Sequence, residues 1–270
     1  MTAVDLRADR SSGARSAAVW AALGTVRDPE LDEPITDLGF VASHHVGPGE
    51  DGRVDVEVHL RLPTSFCAPS FAYLMAADAQ DALAGIDDVG QVSILLDDHH
   101  DSTKINAGLA SGGGYRGTFD HEAEDSLDEL RMIFRRKACT AAMERSCAAL
   151  IKNGSRTVDD LHTLTLADLP PGPTTEALLR RRREIGFSTA PDAPVLVDDE
   201  GLPVPPEQVP LRLRFARTTR VSIDGNAHFC RGLLRTRYPG SGDDQTVRRD
   251  DPDLSTTPTR TTTPTTESER

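Results

Sequence analysis

The chain has 270 residues, of which 37% are hydrophobic and 4% aromatic, and its formal net charge is −13. That is room for one large domain or two small ones. So few aromatics exclude a base-stacking platform. The charge is also uneven: residues 1–120 carry 19 acids against 8 bases, whereas residues 121–240 carry 17 against 18. An acidic front half repels nucleic acid and anionic membrane surfaces.

Residues 1–15 are polar and expected to be disordered. Met1–Arg15 lacks the apolar segment of a signal peptide. No apolar run approaches the roughly 20 residues that span a bilayer. A cytoplasmic protein is expected, with Cys67, Cys139, Cys147 and Cys230 as thiols rather than disulfides. No Cys-x-x-Cys pair points to a zinc ribbon.

Ala18, Val19, Ala22, Leu23 and Val26 recur at helical spacing over Ser16–Val26, and Pro29 stops that helix near Asp28. Leu38–Val46 reads as a strand. A Gly- and Pro-rich turn follows at 47–52. Val54, Val56, Val58 and Leu60 then alternate with polar residues, so the pair reads as a hairpin. Ser70–Ala84 is helical, capped by Gly85, and Val89–Leu96 is a third strand. Helix, hairpin, helix and strand make a two-layer α+β unit over residues 16–97.

Residues 98–121 contain Gly112-Gly113-Gly114 and read as a linker or mobile loop. The glycine run lacks the Lys-Ser/Thr of a phosphate-binding loop. Residues 122–239 read as a mainly helical region with one strand. A long helix over Glu122–Asn153 has two apolar stripes, one with Phe134, Ala138 and Ala141, the other with Cys139, Met143, Cys147 and Leu150. A helix apolar on two sides is packed on two sides. Thr174–Ile185 is a second helix, and its Arg180–Arg183 cluster reads as a solvated face. Five prolines keep 190–210 extended, and Leu211–Ile223 reads as the strand. From 240 to 270 the chain is Thr-, Pro- and Asp-rich and reads as a disordered tail.

Two stretches could carry chemistry. The first is Asp28-Pro29-Glu30 through Asp37-Leu38-Gly39, where prolines stiffen a connector and the carboxylates can hold free backbone amides. The second is Thr64-Ser65-Phe66-Cys67-Ala68-Pro69, where a strand gives way to a helix. Amides at a helix N-terminus favour a thiolate at Cys67, and Thr64 can hydrogen-bond its sulfur. Cys67 as a small buried hydrophobe fits the same pattern. Cys139 and Cys147 are separated on a helix by about 12 Å and read first as core. His228-x-Cys230 would share one face of a strand as a metal pair, with ordinary burial the plainer reading. His99-His100 among aspartates reads as a solvated loop. No complete nucleophile–base constellation is visible, which argues against an enzyme.

Together the two stretches resemble the iron–sulfur assembly domain family of the phenylacetate-degradation protein D and the cytosolic iron–sulfur targeting subunit. The family's Asp-Pro-Glu, Asp-Leu-Gly and Thr…Cys-Pro motifs correspond to Asp28-Pro29-Glu30, Asp37-Leu38-Gly39 and Thr64…Cys67. Here Ala68 separates the cysteine from Pro69, and the phenylacetate protein's cysteine-rich C-terminal segment has no counterpart. The C-terminal half is similar to extensions in actinobacterial relatives associated with hydrocarbon monooxygenases. The resemblance implies a maturation factor that transiently holds iron or an iron–sulfur cluster. Cys67 would be the metal ligand, with Thr64, Asp28, Glu30 and Asp37 around it; Cys139, Cys147, His228 and Cys230 are secondary metal candidates. The implied partners are iron–sulfur assembly proteins or a client metalloenzyme such as a monooxygenase. A metal-free scaffold of an oxygenase complex is the alternative.

Overall fold

A computed structural model describes residues 3–119 and 127–241. Helix α1 (Ala3–Leu23) begins well before Ser16, where loose chain was expected. Residues 3–12 contain Ala, Leu and Arg and no Gly or Pro, so nothing in them breaks a helix. Strands β1 (Val41–Pro48) and β2 (Val54–Leu60) form the hairpin, helix α2 spans Pro69–Ala84 and strand β3 spans Val89–Leu96. The first strand starts three residues later than the sequence suggests because Gly39, at φ +79°, turns the chain just before it.

The sheet order is β1-β2-β3, antiparallel then parallel, with Val46 opposite Val56 and Val58 opposite Ile94. The alternation in β2 works as its spacing implies: Val54, Val56, Val58 and Leu60 are all buried. Their partners are Val19 and Leu23 of α1 and Met75, Ala79 and Leu83 of α2. Each such side chain contributes about 1.5–3 kcal/mol by leaving water. The fold is α+β, as the sequence indicates.

Within the stretch read as a linker, residues 98–119 hold two helices. Helices α3 (Ser102–Ser111) and α4 (Gly114–Phe119) continue the first core through Ile105, Leu109 and Phe119. Asn106 takes the place of a neighbouring strand at Leu96, accepting from its amide at 2.8 Å and donating to its carbonyl at 3.3 Å. A Cβ on Gly108 would meet Thr118 Oγ1 at 1.9 Å, so the two short helices touch backbone to side chain there. Gly108→Ala should therefore destabilise the protein by about 1–3 kcal/mol through overpacking. Gly117→Ala, with open space around it, should not. Thermal melting of the two variants checks this, and equal melting temperatures would mean the segment does not pack.

A second core forms around helix α5 (Leu127–Lys152) and helix α6 (Pro173–Glu184). Cys139, Met143, Cys147 and Leu150 face it, while Phe134 meets Phe71 of α2 edge-on at 4.9 Å and Arg131 pairs with Asp78 at 2.7 Å. Helix α5 is thus packed on two sides, as its two stripes require. The extended 190–205 segment closes onto this core through bridges Thr165–Pro194 and Val197–Pro203.

Leu211–Ile223 is not a strand but part of a 29-residue helix, α7 (Val209–Arg237). Its Val209 and Ala216 enter the second core, and its Ala227 and Leu234 enter the first. The Arg180–Arg183 cluster is not a solvated face throughout. Arg181 and Arg182 are buried, and Arg182 donates to the carbonyls of Ser188, Pro194 and Val195. The expected disordered tail, beyond Gly240 and Ser241, lies outside the described residues.

Candidate functional site

Strand directions bring three loops to one end of the sheet. Because β2 and β3 are parallel, the segments after Leu60 and after Leu96 leave on the same side. Antiparallel β1 starts there, so the 28–40 loop arrives there too. The carboxyl ends of parallel strands are where open α/β sheets bind ligands. Backbone bonds tie the loops together: Arg61 N to Phe40 O at 2.8 Å, and His100 N to Ser65 O at 2.9 Å.

Cys67 stands one residue before the N-terminal cap of α2. Ala68, the residue inserted relative to the family motif, is the cap, and Pro69 is in the first turn. Cys67 is half-buried, and Thr64 Oγ1 lies 3.3 Å from its sulfur. The Phe66 amide donates to the same hydroxyl at 3.2 Å, which leaves the hydroxyl proton free to point at the sulfur. His99, buried, contacts the Cys67 carbonyl through Nε2 at 2.8 Å and accepts from Asp101 N through Nδ1 at 3.1 Å. That pattern makes it a neutral donor to the backbone, so it positions the loop rather than activating the thiol. His99 was read as part of a solvated loop; its burial depends on the two loops meeting, which spacing along the chain does not encode. Phe66 is exposed beside the site and tilts against His100.

Asp28 is buried and its Oδ1 accepts from Glu30 N at 2.9 Å and Leu31 N at 2.8 Å. Burial pushes its carboxyl up from 3.8 to about 6, against the pull of those two amides and with help from nearby Glu30 and Glu33. The folded state thus binds this proton more tightly than the unfolded chain. Stability from this group is full below pH 3.8 and is lost as pH rises through about 6. The loss is about 3 kcal/mol at 1.36 kcal/mol per pH unit. Asp28→Asn keeps the acceptor oxygen and should remove that slope. Denaturant titrations at several pH values between 4 and 7 check it, and parallel wild-type and variant curves would contradict it.

Helix α7 crosses this end of the sheet. Asn226 donates to Glu30 Oε1 at 3.1 Å, and Arg231 pairs with Glu33. Arg237 donates to Leu62 O at 3.1 Å and Ser65 Oγ at 2.8 Å, and Tyr238 donates to Asp98 at 3.0 Å. Cys230 lies between these anchors. Burial first, then the charges of Asp28, Cys67 and Glu30, push its thiol up to about 11.

The structure thus gathers Asp28, Glu30, Thr64, Cys67 and Cys230. Asp37 is exposed and accepts from Thr36 at 3.2 Å. His228 does not pair with Cys230: on a helix, two residues differ by about 200°, and His228 is exposed. Cys139 and Cys147 are buried in the second core, where loss of solvation pushes their thiols up to about 11 and about 12, so they are protonated packing residues. Among the described residues, no three of His, Cys, Asp and Glu converge to hold a metal ion by themselves. The Cys67 sulfur is a soft donor of the kind that iron and iron–sulfur clusters take.

The geometry sets Cys67 in a loop at one end of the sheet of a small α+β domain. Residues 16–94 match the family model described as iron-sulfur cluster assembly protein, so the chain carries a domain of that family. The iron-sulfur cluster carrier protein of Mycobacterium tuberculosis is 52% identical over 50 residues, 18% of this chain and 13% of that protein. The carrier protein of Mycobacterium leprae is 43% identical over 56 residues, 21% of this chain and 14% of that one. The chain thus spans about one seventh or less of the length of these relatives. No solved structure matches it significantly. No helix among the described residues is long and apolar enough to cross a membrane.

Proposed function

We propose that this protein is a cytoplasmic maturation factor that receives iron or an iron–sulfur cluster on Cys67 and hands it to a client metalloenzyme. The observation that carries the reading is the half-buried Cys67 in the matched domain, at the edge of α2, with the Thr64 hydroxyl on its sulfur. The relatives that share this segment are described as iron-sulfur cluster carriers. A cysteine sulfur with a hydroxyl hydrogen-bonded to it is a good soft-metal ligand. Asp28 shapes the neighbouring loop through its two amide bonds, Glu30 is the point where α7 docks, and Asp37 steadies the turn through Thr36. The cargo is the substrate and the protein performs no chemistry with its own turnover. The client is a metal-dependent monooxygenase, recognised by the C-terminal helical region.

In a strain lacking the protein, the client oxygenase is expected at normal abundance but with low iron content and low activity. Cys67→Ser in the chromosome should reproduce the deletion. Full client activity with Cys67→Ser and none in the deletion would reject metal transfer and leave a metal-free scaffold.

A further inference from the structure

We infer, on the reading that a client docks on the helical half, that the outer face of α7 is a docking surface for an acidic amphipathic helix of that client.

The register of α7 gives it two apolar sides. Val209, Ala216, Ile223, Ala227 and Leu234 are buried. On the opposite side, Leu211, Phe215 and Phe229 fall within about 40° of one another, at about 100° per residue. They are 64%, 55% and 65% exposed. Thr218, Ser222 and Gly225 lie among them, so the stripe carries no charge over about 27 Å. Single exposed apolar side chains are ordinary, but two phenylalanines and a leucine aligned on one helix make a patch of the kind that partners cover. Phe215 is also braced. The Arg212 guanidinium, which donates to Val197 O and Asp199, lies 5.6 Å from the centre of its ring. A Cβ on Gly225 would meet nothing within 4 Å. A mid-helix glycine costs about 1 kcal/mol, and no contact inside the fold requires this one, whereas a helix approaching closely from outside would use the notch.

Charge selects the partner. Arg212, Arg220 and Arg231 are used inside the fold, on Asp199, Glu144 and Glu33. Asp224, the one acid of α7, is held by Arg145 and Arg220. Arg214, Arg217 and Arg235 are exposed along one edge of the stripe, and among the described residues they are in no ion pair. On a chain of net charge −13, this arginine edge attracts acids where the bulk of the surface repels them. An antiparallel second copy would set the arginine edge against its own. Residues 242–270 contain acids but only Val247 and Leu254 as large apolar residues, too few for the stripe. A helix with an apolar face and a carboxylate edge matches both features. Arg237 and Tyr238, about two turns beyond Phe229, bond to Leu62, Ser65 and Asp98. A partner laid along α7 is therefore brought to the end of the sheet that carries Cys67.

The probe is a fluorescein-labelled helical peptide of about 18 residues, long enough for the stripe, with leucines on one face and glutamates beside them. A second peptide has lysines in place of the glutamates. Fluorescence anisotropy with the full chain reads binding. The glutamate peptide should bind at least about tenfold more tightly than the lysine peptide, and added salt should erode the difference. Phe215→Ala combined with Phe229→Ala should weaken binding at least about tenfold. Arg217→Glu combined with Arg235→Glu should reverse the preference to the lysine peptide. All four side chains are exposed and outside the Cys67 loop, so these variants should fold and load with cluster as the wild type does. Normal loading with lost peptide binding separates the docking face from the cargo site. Equal binding of the two peptides, or variants that bind like wild type, would overturn the acidic-helix partner and leave Cys67 as the cargo ligand. A full chain that sediments as a dimer, and as a monomer with Phe215→Ala and Phe229→Ala, would overturn it in favour of a second copy.

Discussion

Asp32→Ala should destabilise the protein by about 3–5 kcal/mol, because it strands a buried guanidinium. Arg181 of α6 reaches across to Asp32 in the site loop, with Nε to Oδ2 at 2.6 Å, and both side chains are almost wholly shielded from water, at 5% and 11% exposure. The pair joins the helical half of the chain to the loop that carries Asp28 and Glu30. Asp32 also has φ +56°, a conformation that Asp and Asn tolerate and that disfavours Ala. Asp32→Asn keeps shape and backbone and removes only the charge, so it should lose less than Ala. Arg181→Met combined with Asp32→Ala removes both charges and should recover much of the loss. Denaturant midpoints of the four proteins measure this. A double variant no better than Asp32→Ala would show that the loss comes from backbone strain rather than the orphaned charge.

Cys67→Ser should lower occupancy by a reconstituted iron–sulfur cluster more than about a hundredfold, since even an outer-shell partner is worth about 10–100-fold. Serine is nearly isosteric, so the loop should keep its shape. Its hydroxyl, however, is a hard donor that stays protonated near neutral pH. Thr64→Ala removes only the hydroxyl beside the sulfur and should give a milder loss of about tenfold. Iron and acid-labile sulfide analysis after anaerobic reconstitution reads both. A Cys67→Ser protein that loads as fully as wild type would mean that the cluster is held elsewhere.

The first domain was legible because its signals are local. The alternation at Val54–Leu60, the glycine turn before it and the proline at the start of α2 each act within a few residues. The position of Cys67 followed from the strand-to-helix change alone. The two-sided burial of α5 followed from its stripes. The rest depends on contacts between distant segments. Leu211, Leu213 and Phe215 alternate with arginines and imitate a strand; only the longer window to Leu234 shows the helical period. Tyr115 and Phe119, spaced by four, signal α4, but the glycines before them read as a linker. Arg181 and Arg182 look like solvated charges until Asp32 and three carbonyls are brought to them by folding. His228 and Cys230 read as two residues on one face of a strand until the helical period of α7 turns them apart.

The direct test of the carrier role is transfer in one vessel. Cluster-loaded protein is mixed anaerobically with an apo-acceptor that has an empty iron–sulfur site, in the presence of an iron chelator strong enough to capture anything released. The acceptor should fill at the same rate with and without chelator, and Cys67→Ser protein taken through the same loading should fill it no faster than buffer. Filling that the chelator abolishes, or that proceeds equally well from Cys67→Ser, would contradict a hand-over through Cys67.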